Sequence, residues 1–158
     1  MILRKTLLAF VLSAAVGHGA IAPSAPQRHI GGQAGSGFSL LSVKKLSSPK
    51  QNIERLVFFV GTKEGFRLKG LPGYFNAFNS GKEIVIDFAQ MPTSKMTDNS
   101  LKEILKNSIF IKSGRITQDP LDATLTLKME LRRQTKMKII QIKGNKETAR
   151  IVVDLLNK

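Results

Sequence analysis

From about residue 38 onward, apolar and polar positions alternate with period two, and Gly, Asn and Pro break the alternation at short intervals. That is the pattern of antiparallel strands joined by turns. It predicts strands at Arg55–Val60, Glu83–Phe88, Thr124–Leu131, Lys138–Ile142 and Arg150–Leu155, with shorter ones at Leu40–Lys44, Gly65–Lys69 and Ile109–Lys112. In the Thr124 run, Leu125, Leu127, Met129 and Leu131 share one face and Thr126, Lys128 and Glu130 the other, so this strand is expected to be half buried. Period 3.6 occurs once, where Leu101, Ile104 and Leu105 predict a short helix over 101–107. Ser100 and Glu103 have the spacing of its capping box.

The pattern repeats. Glu83-Ile-Val-Ile-Asp-Phe88 and Arg150-Ile-Val-Val-Asp-Leu155 share three apolar residues, an Asp and a further apolar residue, and each ends a series of strands. The fold class read from this is mainly β: a β-sandwich of two small pseudo-symmetric antiparallel sheets with one short helix. Asp87 and Asp154 close their strands, where a carboxylate is expected to accept backbone amides of the following turn.

The first 22 residues break the β pattern. Arg4 and Lys5 precede an apolar run to Val16 that is shorter than a membrane span and is followed by small residues, the layout of a secretory signal. Removal of 1–22 takes two positive charges and no acid, so the net charge of +14 becomes +14 − 2 = +12. The expected location is periplasmic or secreted, with no membrane span after cleavage. Residues 23–37, rich in Pro, Ser, Gln and Gly, read as a flexible leader, and 38–158 as one domain. The chain has no Cys, which excludes disulfides, thiolate metal sites and a lipidated Cys. An exported chain with this charge is expected to meet anionic envelope polymers and not nucleic acid.

Three segments together resemble the AMIN domain family: Arg55-Leu-Val-Phe58 opening a first half, Gly73-Tyr-Phe-Asn-Ala-Phe78 filling it and Ile84-Val-Ile-Asp-Phe88 closing it. Lys112-Ser-Gly-Arg115 resembles the link to a second half that closes on Ile151-Val-Val-Asp-Leu155. The resemblance covers nearly all of 38–158. It implies a non-catalytic β-sandwich of two symmetric sheets in exported envelope proteins, commonly joined to cell-wall amidases or secretin subunits and targeting them to peptidoglycan. With no amidase or secretin segment in this sequence, the role it implies here is binding alone or delivery of something bound to it.

Candidate chemistry is sparse. His18 falls in the signal and His29 in the leader, so the domain offers no His or Cys for a nucleophilic pair or a zinc site of the usual ligand types, and no cofactor is expected. The eleven acidic residues are scattered; Asp119 and Asp122 read as turn residues around Pro120. A small carboxylate hydrolase remains a minor alternative. The leading candidate site is a cationic cluster, Lys128, Arg132, Arg133, Lys136 and Lys138, continuing to Lys143 and Lys146, relieved by Glu130 and placed by alternation on the rim of one hairpin. Arginines there would grip carboxylate or phosphate through paired hydrogen bonds and lysines as point charges. The alternative is a solvated face whose lysines deter edge aggregation. A second candidate is the aromatic stretch around Tyr74 and Asn76, suited either to stacking on sugars or to the core. The expected partner is peptidoglycan or another anionic envelope polymer. The alternative is a secretin or pilus-assembly protein engaged through a strand edge.

Overall fold

The computed structural model describes residues 25–66, 68–145 and 148–158. The expected signal, 1–22, lies outside them, as does Lys146 of the cationic cluster. Ten strands and one helix follow in order: β1 (Gln27–Gly31), β2 (Phe38–Ser48), β3 (Ile53–Thr62), β4 (Phe75–Asn79), β5 (Glu83–Phe88), β6 (Thr93–Ser94), α1 (Asp98–Leu105), β7 (Ile111–Gln118), β8 (Leu125–Leu131), β9 (Thr135–Ile142) and β10 (Ala149–Asn157). They form two five-stranded sheets, sheet I in the order β1-β4-β5-β8-β7 and sheet II in the order β6-β2-β3-β10-β9. Every pairing between these strands is antiparallel except β2 with the two-residue β6. The protein is therefore a mainly β sandwich with one short helix.

The repeat is built in an interlocked way. The first half supplies β2-β3 to sheet II and β4-β5 to sheet I; the second supplies β7-β8 to sheet I and β9-β10 to sheet II. Exchanging the halves carries β2-β3-β10-β9 onto β7-β8-β5-β4, so the sheets are related by a pseudo-twofold and neither half completes a sheet alone. At the seams, Asp154 of β10 lies opposite Arg55 of β3, and Asp87 of β5 lies opposite Thr126 of β8.

Alternation decides which side of each strand is buried. Leu56, Phe58 and Val60 of β3 and Ile151, Val153 and Leu155 of β10 point inward against Ile84, Ile86 and Phe88 of β5 and Leu125, Leu127 and Met129 of β8. The Phe88 ring lies 6.0 Å from that of Phe58 and 6.4 Å from that of Phe75, so aromatic contacts bridge the layers. Each such side chain contributes roughly 1.5–3 kcal/mol when fully buried, and this layer holds the disulfide-free domain together. As expected, Leu125, Leu127, Met129 and Leu131 are buried while Lys128 and Glu130 are exposed.

Four expectations are corrected. The stretch 23–37 is not wholly a flexible leader, because Gln27–Gly31 forms β1 and pairs residue for residue with β4. The helix is capped three residues earlier than the Ser100/Glu103 spacing suggested: the Thr97 hydroxyl accepts the Ser100 amide at 3.2 Å and the Ser100 hydroxyl accepts the Thr97 amide at 2.9 Å. The described residues of the expected strand at 65–69, Gly65, Phe66, Leu68 and Lys69, lie in no strand, and Gly65 at φ +88° and Gly70 at φ +98° take the left-handed backbone that glycine tolerates. Lys112–Arg115, read as a link, is the start of β7.

Helix α1 covers the side of the sandwich between β7 and β2. Leu101 and Leu105 are buried over Gly114, where an added Cβ would stand 2.5 Å from Leu105 Cδ1. Among the described residues no helix is long and apolar enough to cross a membrane.

Candidate functional site

The expected basic hairpin does not exist, because β8 belongs to sheet I and β9 to sheet II. Residues 132–134 cross between the layers, and Asn79 Nδ2 anchors the arrival by donating to the Thr135 carbonyl at 2.8 Å. This crossing scatters the cluster. Lys128 stays on the outside of sheet I, 2.9 Å from the Glu83 carboxylate. Arg132 donates to the carbonyls of Ser108 and Ile111 at 3.1 and 3.0 Å. Arg133 donates to Ile109 O at 2.9 Å and lies 5.0 Å over the Phe110 ring. These two arginines brace the loop between α1 and β7. Lys136 and Lys138 alone of the five reach the outside of sheet II.

There the register assembles a surface that spacing along the chain does not reveal. Successive rows across β2, β3, β10 and β9 read Ser48–Ile53–Leu156–Lys136, Leu46–Arg55–Asp154–Lys138, Lys44–Val57–Val152–Ile140 and Ser42–Phe59–Arg150–Ile142. Cations recur in every row, and Asp154 is the sole carboxylate among them. Between the cations the face is apolar: Leu46 is 57% exposed and Ile140 37%, with Ile53, Phe59, Ile142 and Leu156 half-buried beside them. Val57 and Val152 are buried at 8% and 5% although they point outward, because their neighbours close over them. Lys44 Nζ stands 5.3 Å from the Phe59 ring, so its stem runs along the sheet. The ammonium groups of Lys136 and Lys138 enter no ion pair among the described residues.

The one acid on this face is already engaged. Asp154 takes a two-point grip from Arg55, Nε to Oδ1 at 2.6 Å and Nη2 to Oδ2 at 2.8 Å. The hydrogen bond to Asp154, reinforced by its charge, raises the Arg55 pKa above its ordinary value. At the equivalent place in sheet I, Asp87 Oδ1 accepts the Thr126 hydroxyl at 2.7 Å. The expectation that both aspartates accept amides of the next turn is thereby corrected: each bonds the side chain directly across the ladder. Asp119 and Asp122 do serve turns, accepting the amides of Leu121 and Thr124, each at 2.8 Å.

The outside of sheet I is close to electrical balance, with Arg28, Lys112, Arg115 and Lys128 set against Glu83, Asp87 and Glu130. Lys128 meets Glu83, and Lys112 meets Glu130 at 2.8 Å. Asn76 lies on the same side, its Oδ1 occupied by Arg28 Nε at 2.9 Å. Tyr74 is exposed beside a small cleft of about 190 Å³ shared with Ala34, Gly35, Ala89 and Gln90. Phe75, between them, is buried in the core. Larger clefts, of about 460 and 450 Å³, lie between α1 and β7 and around Lys102, Lys106 and Arg132, away from the outside of sheet II. Among the described residues no three His, Cys, Asp or Glu gather to hold a metal ion.

Sequence reasoning found Lys136 and Lys138 but missed Lys44, Arg150 and the apolar residues between them. The signal present in sequence was that β3, β9 and β10 carry apolar residues at both alternating positions, as strands covered on both sides do. Comparison with protein-family models and with curated proteins finds no match to this chain.

Proposed function

We propose that the chain is a non-catalytic binding module of the cell envelope that holds an anionic component, peptidoglycan or another anionic polymer, through the outside of sheet II. The observation that carries this reading is the charge asymmetry between two symmetry-related faces. Sheet II presents Lys44, Lys136 and Lys138 around an Arg55–Asp154 pair that neutralises itself, whereas sheet I sets Arg28, Lys112, Arg115 and Lys128 against Glu83, Asp87 and Glu130. A face of one sign raises the local concentration of anionic partners and is weakened by salt. The AMIN resemblance implies a sandwich of two symmetric sheets, and this fold is compatible with it. A reading as a partner-bound accessory subunit using the β9 edge is disfavoured at Met137, whose outward amide donates to Gln27 Oε1 at 2.8 Å.

The test is co-sedimentation with isolated peptidoglycan sacculi across a salt series. Lys44, Lys136 and Lys138 are changed together to Gln, and a charge-matched control changes Lys82, Lys102 and Lys106, which lie in the β4–β5 turn and on and just after α1. Salt-sensitive binding that the first variant loses and the control keeps is the expected result. Equal loss in both variants, or no binding by the parent protein, refutes the reading.

A further inference from the structure

Resting on the reading that the outside of sheet II is the binding surface, we infer that this face also docks on an anionic lipid leaflet. Three features point to a lipid surface and away from a soluble ligand or a helix of another protein.

The first is shape. The clefts of about 460, 470 and 450 Å³ lie elsewhere, and on this face four strands lie side by side in register over four successive rows. A broad surface is matched by a broad partner.

The second is composition. These rows carry no Asn, Gln or Tyr, and their one aromatic, Phe59, is covered by Lys44, so the face would hold a wall polymer by its anionic groups and not by its sugar rings. What they do carry is exposed aliphatic surface, Leu46 and Ile140, beside lysines on flexible apolar stems. Lysine stems follow an apolar surface while their ammonium groups reach for phosphate, the division that a headgroup layer over acyl chains demands.

The third is the Arg55–Asp154 pair in the second row. It interrupts the apolar band that a docked helix would need to be continuous, and it would lose water on full burial. At the depth of lipid headgroups water persists and a self-neutralised pair is tolerated. The pair also removes the one carboxylate of these four rows from opposition to anionic lipid.

The experiment is flotation of the purified domain with vesicles of phosphatidylcholine alone and of phosphatidylcholine mixed with phosphatidylglycerol, run beside the sacculus assay. Parent protein is expected to float with the anionic vesicles only. Each cation near an anionic leaflet strengthens binding by a similar increment, so changing Lys44, Lys136 and Lys138 to Gln should lower partitioning on the order of 100-fold. The Lys82, Lys102 and Lys106 variant should lose only a few-fold. Leu46→Gln with Ile140→Gln should lower binding several-fold at all salt concentrations, since apolar insertion is not screened. Circular dichroism melting of each variant establishes that it is folded. Sacculus binding without vesicle binding overturns the lipid inference and leaves the proposed function standing. Binding to neither overturns both. Equal loss in the two lysine variants, or equal flotation with neutral vesicles, also overturns the inference.

Discussion

Replacing Glu54 by Gln should cost the domain about 2–3 kcal/mol, although the substitution preserves size and shape. Glu54 points inward from β3 with no exposed surface. Its Oε2 accepts the Ile109 amide at 3.1 Å and the Ser47 hydroxyl at 3.1 Å, while Oε1 accepts the Ser108 hydroxyl. Ser108 Oγ in turn accepts the amides of Phe110 at 3.3 Å and Ile111 at 2.8 Å, so its single hydrogen is committed to Glu54. An amide NH2 at the Oε2 position would face the Ile109 N–H; at the Oε1 position it would face a hydroxyl whose acceptor sites are both taken. Either orientation sets donor against donor in a site without water contact. One charge-assisted hydrogen bond, worth ~1.5–3 kcal/mol, is lost in each case, and a buried donor is left unsatisfied. The loss of the charge's own desolvation cost offsets part of this. With an unfolding entropy of roughly 2.1 cal/mol/K per residue over the folded domain, the melting temperature should fall by about 10 °C. Thermal and urea unfolding followed by circular dichroism measure it. A melting temperature within about 2 °C of the parent's, with an unchanged urea m-value, would refute the claim that an acceptor-only side chain is required here.

Gly32→Ala should release β1 selectively: at φ +90° an added Cβ would stand 2.2 Å from the Gly73 carbonyl oxygen, a backbone atom with no room to yield. Hydrogen exchange should then speed up in β1 and the facing edge of β4 while β3 and β10 stay protected; uniform protection would refute it. Lys112 donates a hydrogen bond to Glu130, helped by Ser113, and holds its carboxyl below the ordinary glutamate range. A carboxylate depressed in the folded state stabilises at pH above its unfolded pKa, and that contribution is lost as pH falls through the folded value. An NMR titration should place the Glu130 midpoint below 4.5 and Lys112→Met should raise it; an unmoved midpoint would assign the shift elsewhere.

Where one side of a strand is buried, the sequence carried its position plainly, and β5 matches the expected Glu83–Phe88 at both ends. β1 was hidden because its one strong apolar residue, Ile30, faces outward, and its place depends on the ladder to β4. β4 was hidden because an inward position is filled by Asn79, a polar residue made tolerable by its bond to the Thr135 carbonyl. The candidate site failed for a different reason. β8 and β9 are each amphipathic, and the short connection Arg132-Arg133-Gln134 is compatible with a hairpin or with a crossing between layers. What decides between them is partnership with β5 and β10, which is information between distant segments. Once the crossing is made, the arginines fall into contact with carbonyls of the 108–111 loop and the lysines pass to the other face.

The pseudo-twofold separates what the scaffold requires from what it leaves open. Aligning Asp87 with Asp154 and Thr126 with Arg55 places Glu83 against Arg150 and Glu130 against Phe59, four residues along the paired strands. Asn76 then corresponds to Lys138, and Lys128 to Val57. The inward partners at the same seams, Ile84 and Ile86 against Ile151 and Val153, are interchangeable aliphatics filling one shared core. Outward positions with equivalent backbone geometry thus hold carboxylates on one sheet and arginine or phenylalanine on the other. Strand pairing and core packing impose no such difference, since sheet I meets the same structural demands with Glu83 and Glu130 where sheet II has Arg150 and Phe59. An apolar, cationic exterior also brings exposed aliphatic surface, a liability for an isolated domain. A covering partner with negative charge removes that liability, and a sandwich whose two exteriors differ in this way is suited to lie with one face against such a partner and the other toward water.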